Sequence, residues 1–160
     1  RAIIRLNLQE QKGRKLLMKI VAAADHGGFE MKNQIVENLR KQGFAVEDLG
    51  TNSADSVDYP DFAEKATAKV LAGQADLGIL VCGTGIGISI AANRHKGIRA
   101  AILYDDYVAK VAREHNNANV LCFGGRTMST EDVLRRIGIF LKAAYEGGRH
   151  DRRLCKLDLD

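Results

Sequence analysis

The sequence predicts an α/β fold: a three-layer α/β/α sandwich around a five-stranded parallel sheet, Rossmann-like in its alternation. Three observations predict it. Five short apolar runs bounded by glycine or polar clusters recur along the chain, the segments between them switch to a helical period, and the two kinds of segment alternate strictly. Such alternation calls for right-handed crossovers and a sheet covered on both faces.

The first run is KIVAAA at 19–24, apolar throughout as a strand buried on both faces must be. Met31, Ile35 and Leu39 then space by four and give a helix one apolar face. The second run, FAVEDL at 44–49, leads to SVDYPDF, where Pro60, the only proline, opens the second helix. That helix carries Phe62, Ala63, Ala66 and Val70 on one side. LGILVC at 77–82 is the third strand, and a glycine-rich turn hands it to the third helix. IRAAIL at 98–103 precedes a helix with Tyr107, Val108, Val111 and Ala112 on one face; NVLCF at 119–123 is the fifth strand. In the last helix Ser129-x-x-Asp132 resembles a capping box, and Val133, Leu134, Ile137, Phe140, Leu141 and Ala144 trace one stripe. Gly147-Gly148 is its expected stop.

At 160 residues and 46% hydrophobic, the chain fits one domain able to bury its apolar surface without staples. Cys82, Cys122 and Cys155 are odd in number and form no CxxC pair, which argues against a disulfide framework or zinc ribbon and for a reducing, cytoplasmic setting. No run of about 18 apolar residues exists, so no membrane span is expected. The first 17 residues hold five basic side chains and one acid, which equals the whole chain's net charge of +4. The basic excess is an appendage, and a nucleic-acid partner is not expected. Residues 1–17 precede Met18 and read as an extension outside the fold; residues 18–160 read as a single domain with a C-terminal tail.

Ligands of open parallel sheets bind beyond the carboxyl ends of the strands. There the sequence sets Asp25-His26-Gly27-Gly28, then Cys82-Gly83-Thr84-Gly85-Ile86-Gly87, then Tyr104-Asp105-Asp106, then Gly124-Gly125-Arg126. Plain readings exist for most of them. Asp25 is read as a helix cap unless the site needs it, Asp105 and Asp106 as caps outright, and His26 alone as a surface histidine. Cys122, inside a strand, is inert core. Cys82 differs by position, because a helix N-terminus offers free N–H groups and about half a positive charge, which favours thiolate. The same N–H groups can hold an oxyanion, and glycine admits a ligand close to the backbone. Thr84 can add a hydroxyl donor or make a local turn bond.

GTGIG lacks the lysine of a phosphate-binding P-loop. A dinucleotide fingerprint stays open as a rival, since Asp105 lies about 20 residues on, but Ile88 stands where that motif has glycine, and the loop follows the third strand rather than the first. His115 and Asn116 end the fourth helix, and Arg149 and Arg153 follow the fifth. Both ends fall at the amino side of the sheet, opposite Cys82, so these residues reach Cys82 only through a second subunit or a wrapping tail. A solvated segment is the plain reading of the arginines.

Taken together, KIVAAADHGGFEMK, DLGT, DYPDFA, ADLGILVCGTGIGISIAANRHKGIRAA, REHNNANVLCFGGR and YEGGRHDRR resemble the ribose-5-phosphate isomerase B family, which includes galactose-6-phosphate isomerase subunits. The resemblance spans Met18 to Arg153. It implies an aldose–ketose isomerase acting on ribose 5-phosphate and ribulose 5-phosphate through an enediolate. Cys82 would be the base between C1 and C2, and His115 would open the furanose ring with Asp25 at the ring oxygens. Gly83, Gly85 and Gly87, with Thr84, would hold the enediolate. Asn116 and Tyr59 would contact hydroxyls, His26, Arg149 and Arg153 the phosphate, and Arg126 the substrate. The family is homodimeric, sometimes tetrameric, with shared sites. No metal and no organic cofactor are expected, since His26, His95, His115 and His150 show no clustered spacing. Six-carbon phosphosugars, allose 6-phosphate or galactose 6-phosphate, stay open, although the GGRH tail favours a five-carbon substrate.

Overall fold

Strands and helices alternate along the chain in the computed structural model, which describes residues 8–158. The strands are β1 (Lys19–Ala24), β2 (Ala45–Asp48), β3 (Leu77–Cys82), β4 (Ala100–Ile102) and β5 (Val120–Gly124). The helices are α1 (Leu8–Leu17), α2 (Phe29–Lys41), α3 (Tyr59–Leu71), α4 (Ile86–Asn93), α5 (Asp106–Glu114), α6 (Thr130–Lys142) and α7 (Arg149–Cys155). The five strands form one sheet in the order β2-β1-β3-β5-β4, and every pairing is parallel.

Alternation along each strand divides the core in two. Ile20, Ala22, Ile79, Val81, Leu121 and Phe123 face a layer built from Met31, Ile35 and Leu39 of α2, Ala109 of α5, and Val133, Ile137 and Phe140 of α6. Val21, Ala23, Leu80, Cys82, Val120 and Cys122 face the other way, against Phe62, Ala63 and Ala66 of α3 and Ile88 and Ala92 of α4. Both layers exclude water from the sheet, which is why strands with no polar face are stable here. The chain leaves β1 outward to β2 and leaves β3 outward to β4. The order therefore reverses between β1 and β3, with α2 on one face and α4 on the other, and it is beyond the carboxyl ends of such a switch point that open α/β sheets take their ligands.

Several helix ends differ from expectation. Asp105 caps α5, its carboxylate accepting from the Val108 N–H at 2.7 Å, but Asp106 lies in the first turn and engages Arg135 instead. Asp25 is not a helix cap. Gly28 holds that position in α2 without a side-chain bond, and Asp25 Oδ1 accepts from the Gly27 N–H at 2.9 Å in a local turn. Ser129 caps α6 at 3.2 Å from the Asp132 N–H, while the Asp132 carboxylate turns to Arg135 at 2.7 Å.

α6 stops at Lys142, short of Gly147-Gly148. Tertiary bonds decide this: the chain turns extended at Ala143, and the Glu146 N–H donates to the Glu114 carbonyl at 3.0 Å. The arginine-rich segment beyond is the helix α7 rather than a solvated coil. Residues 8–17 of the predicted extension form α1, with Lys15 Nζ 5.3 Å from the Phe44 ring centre; residues 1–7 lie outside the described residues.

Candidate active site

Cys82 is the last residue of β3, and its side chain, 4% exposed, faces the α3 and α4 layer. Register places it between the two neighbouring strand ends. Ala24 pairs with Val81, so Asp25 comes level with Cys82 on one side, while Cys82 pairs with Gly124 on the other. The Asp25 N–H donates to the Val81 carbonyl at 3.2 Å and the Gly125 N–H to the Cys82 carbonyl at 2.8 Å, extending the sheet into the loops.

The turn after Cys82 closes on the sulfur itself: the Gly85 N–H donates to Cys82 Sγ at 3.2 Å. Gly85 has φ +81°, a left-handed conformation that side chains rarely adopt, and it is the cap residue of α4. A hydrogen bond from backbone to thiol thus coincides with the start of a helix. Thr84 Oγ1 accepts from the Ile86 N–H at 3.2 Å, the local turn bond, which leaves its own hydrogen free to donate outward. A methyl group on Gly83 would stand 3.1 Å from Arg126 Nη1, so the Arg126 guanidinium lies against bare backbone there. A methyl group on Gly87 would meet the Tyr59 ring at 2.7–3.0 Å, which places Tyr59, 40% exposed, over the first turn of α4.

Asp25 is 7% exposed. Next to it His26 Nδ1 accepts from the Val57 N–H at 3.2 Å. An accepting Nδ1 puts the proton of the neutral ring on Nε2, which makes that edge a donor. Cys82, Asp25, His26, Tyr59, Thr84, Gly83, Gly85, Gly87 and Arg126 therefore gather at one end of the sheet.

His115, Asn116, Arg149 and Arg153 do not join them. Gly78 pairs with Val120 at the level where the turn from α5 enters β5, and Cys82 pairs with Gly124; four residues at about 3.3 Å each separate the two levels by about 13 Å. At that far end His115 terminates α5, and its ring stacks on His150 with centres 4.4 Å apart and planes 16° apart. Arg99 donates to the Asn116 and Asn117 carbonyls and Arg113 Nη1 to Asn117 Oδ1 at 2.6 Å, fixing a turn in which Asn117 has φ +43°. Burial, and then the neighbouring Arg99, lower the pKa of Arg113.

Sequence reasoning missed two groups. Lys32, wholly buried in α2, binds both carboxylate oxygens of Asp48 and, at 3.0 Å, Asn52 Oδ1. Its position inside a helical stripe was the available signal. Glu146 and His150, gathered beside His115, are the other. Two cavities, of about 540 Å³ along α2 and about 740 Å³ between α1 and α6, lie away from Cys82.

Fold and strand ends together define an open, parallel α/β protein with a thiol, a carboxylate and backbone donors gathered at the carboxyl end of its sheet. The ribose/galactose isomerase family model matches residues 20–157. Ribose-5-phosphate isomerase B of Escherichia coli K12 is 45% identical over 138 residues, 86% of this chain and 93% of that protein. The ribose 5-phosphate isomerase B structure from Thermotoga maritima superposes with TM-score 0.87 at 48% identity, covering 89% of this chain and 98% of its own. That of Mycoplasma genitalium, with bound ribulose 5-phosphate, gives TM-score 0.85 at 44% identity over 89% and 95%. The chain belongs to the ribose/galactose isomerase family. Family membership leaves the dinucleotide-binding reading of the glycine loop without support.

Proposed function

We propose that the protein interconverts ribose 5-phosphate and ribulose 5-phosphate, with Cys82 as the base that carries a proton between C1 and C2. The observation that carries this reading is the Cys82 sulfur at a strand end, bonded to the N–H that opens α4, with Asp25 level with it at the neighbouring strand end. A hydrogen next to a carbonyl is weakly acidic, so its removal needs a positioned base and a prepared anion site, each supplying a few kcal/mol. Cys82 fits the first need. The backbone from Gly83 to Gly87, with the free Thr84 hydroxyl hydrogen, fits the second and would hold the enediolate.

Asp25 and His115 would handle the ring oxygens during opening of the furanose. Tyr59 and Asn116 would meet the sugar hydroxyls and Arg126 the substrate. The His26 Nε2 edge, Arg149 and Arg153 would hold the phosphate, where guanidinium forks pair well with its oxygens. One chain separates these groups by a strand's length, so the reading requires a homodimer with sites shared between subunits, two of which can pair into a tetramer. An apolar face beside the site suits that role: Ile86 and Ile90, one turn apart on α4, are 56% and 51% exposed, with Tyr104 and Tyr107 also exposed. The residues before Met18 take no part in the chemistry, and three free thiols suit a reducing, cytoplasmic setting. Among the described residues no helix is long and apolar enough to cross a membrane.

The test is isomerisation of ribose 5-phosphate in the presence of a chelator and without nucleotide, repeated on mixed Cys82→Ala and His115→Ala chains. Activity in the intact protein and its recovery in the hybrid, where one site regains both groups, are the expected results. Failure of the hybrid to recover would refute the shared site. Faster turnover of a six-carbon phosphosugar would transfer the same mechanism to that substrate.

A further inference from the structure

The far end of the chain carries a second arrangement with chemistry of its own. The Glu146 N–H is tied to the Glu114 carbonyl at 3.0 Å, which returns the C-terminal tail to the end of α5. Three donor-bearing side chains meet there: His115, Glu146 and His150 bring one ligand atom each within 4.8 Å of one another. His150 is 7% exposed, and its Nε2 is buried without a hydrogen-bond partner. An orphaned imidazole nitrogen of that kind is uncommon and costly. Glu146 Oε2 lies 3.5 Å from it, close enough to pair with a protonated ring but longer than an ordinary hydrogen bond. That spacing has another meaning: nitrogen and oxygen ligands at 2.0–2.1 Å on one tetrahedral ion stand about 3.4 Å apart.

We propose that His115, Glu146 and His150 bind a divalent cation of the zinc class. Two imidazoles and one carboxylate are a borderline-soft ligand set that selects zinc, cobalt or nickel over magnesium or calcium. His150 and Glu146 supply the preformed edge. The His115 ring lies stacked on His150, 16° from parallel, with a ligand atom within 4.8 Å of the other two. His115 is only partly buried, and a turn of its ring brings the nitrogen onto the ion. Water or a substrate oxygen completes the coordination. Occupied in this way, His115 loses the nitrogen that ring opening needs, so the cation is an inhibitor. This consequence rests on the role proposed for His115; binding of the ion does not.

The experiment uses the metal-free full chain, with zinc affinity measured by competition against a chromophoric chelator and with cobalt as a spectroscopic probe. Expected are one zinc per chain, and a loss of affinity of about tenfold or more in both Glu146→Gln and His150→Phe. Glu146→Gln changes an exposed side chain and keeps the fold, and His150→Phe keeps a flat ring against His115. Cys82→Ala should bind zinc as the parent does, and the cobalt spectrum should lack a sulfur-to-metal charge-transfer band. Unchanged affinity in both ligand variants, or loss of binding in Cys82→Ala, overturns the site. With binding established, zinc should inhibit isomerisation reversibly, and about tenfold more zinc should be required in Glu146→Gln. Binding without inhibition would support the site while removing His115 from the proposed mechanism.

Discussion

Lys32 has no exposed side chain, and its ammonium lies 2.7 and 2.8 Å from the two carboxylate oxygens of Asp48. The pair joins α2 to the end of β2, and Asp48 Oδ1 also accepts from the Gly50 N–H at 2.9 Å. Gly50 in turn bonds Ala24, the residue before Asp25. Changing Asp48, whose side chain is 23% exposed, strands the buried Lys32 ammonium with Asn52 alone, at a cost of up to about 3–5 kcal/mol. Asp48→Asn should therefore lower the urea midpoint by that stability, whereas Lys32→Met with Asp48→Leu should recover most of it. Equal stability of Asp48→Asn and the parent would show that Lys32 reaches solvent.

Cys82→Ala separates chemistry from architecture. The substitution removes one small buried side chain, worth about 1–2 kcal/mol of stability, and leaves the Gly83 to Gly87 backbone to bind substrate. Turnover should fall by about 10²–10⁴-fold or more, the contribution of a positioned base, with the unfolding transition still cooperative. Unchanged turnover would remove the thiol from the mechanism.

The three thiols should differ sharply in reactivity. Cys155 is exposed, Cys82 almost covered and Cys122 wholly buried; burial, and then Cys82 nearby, push the Cys122 thiol far above the usual thiol range. Alkylation of the native protein followed by mass spectrometry should find Cys155 modified first and without effect on activity. Modification of Cys82 should follow and track inactivation, while Cys122 reacts only after unfolding. Early labelling of Cys122 would contradict the packing of β5.

This gradient also shows how far local sequence could be read. Runs such as LGILVC could be assigned to buried strands because their period and their glycine borders are local properties, and so could the turn at Cys82. The strand order, which puts β5 between β3 and β4, depends on which apolar faces fit together over long separations, and no short window contains that. The end of α6 differs from its apolar stripe for the same reason: the stripe runs to Ala144, but the bond from Glu146 to Glu114 draws the chain away at Ala143. The pairing of Lys32 is not legible locally, because its partner Asp48 is contributed by another element. The separation of His115 and Arg149 from Cys82 was legible, since strand direction alone sets it.

Tyr59 rests on the backbone of Gly87, where a methyl group would lie within 3.0 Å of ring carbons. Gly87→Ala must move that ring, which is 40% exposed and can swing outward. Stability should change by less than about 1 kcal/mol, since no core contact is lost. KM for ribose 5-phosphate should rise several-fold with a smaller change in kcat, if Tyr59 holds a sugar hydroxyl. Steady-state kinetics of Gly87→Ala beside Tyr59→Phe checks this, and an unaltered KM in both would take Tyr59 out of the site.

Tyr145 offers a test of the C-terminal tail. Its hydroxyl donates to Asp151 Oδ1 at 2.6 Å, and that bond, the largest cause, raises the tyrosine to about 12. The unfolded chain titrates near 10. A folded pKa above the unfolded one means that the neutral phenol is favoured by the fold, so this contribution to stability is complete below about pH 10. It is lost as pH rises through about 12. The bond spans the turn that presents His150 to His115, so its loss should loosen the stacked pair. An ultraviolet phenolate titration of the parent against Tyr145→Phe, read as a difference, should show one late-titrating group missing from the variant. A difference curve centred near pH 10 would mean that the hydroxyl faces water, and that the tail is not held to α7 in this way.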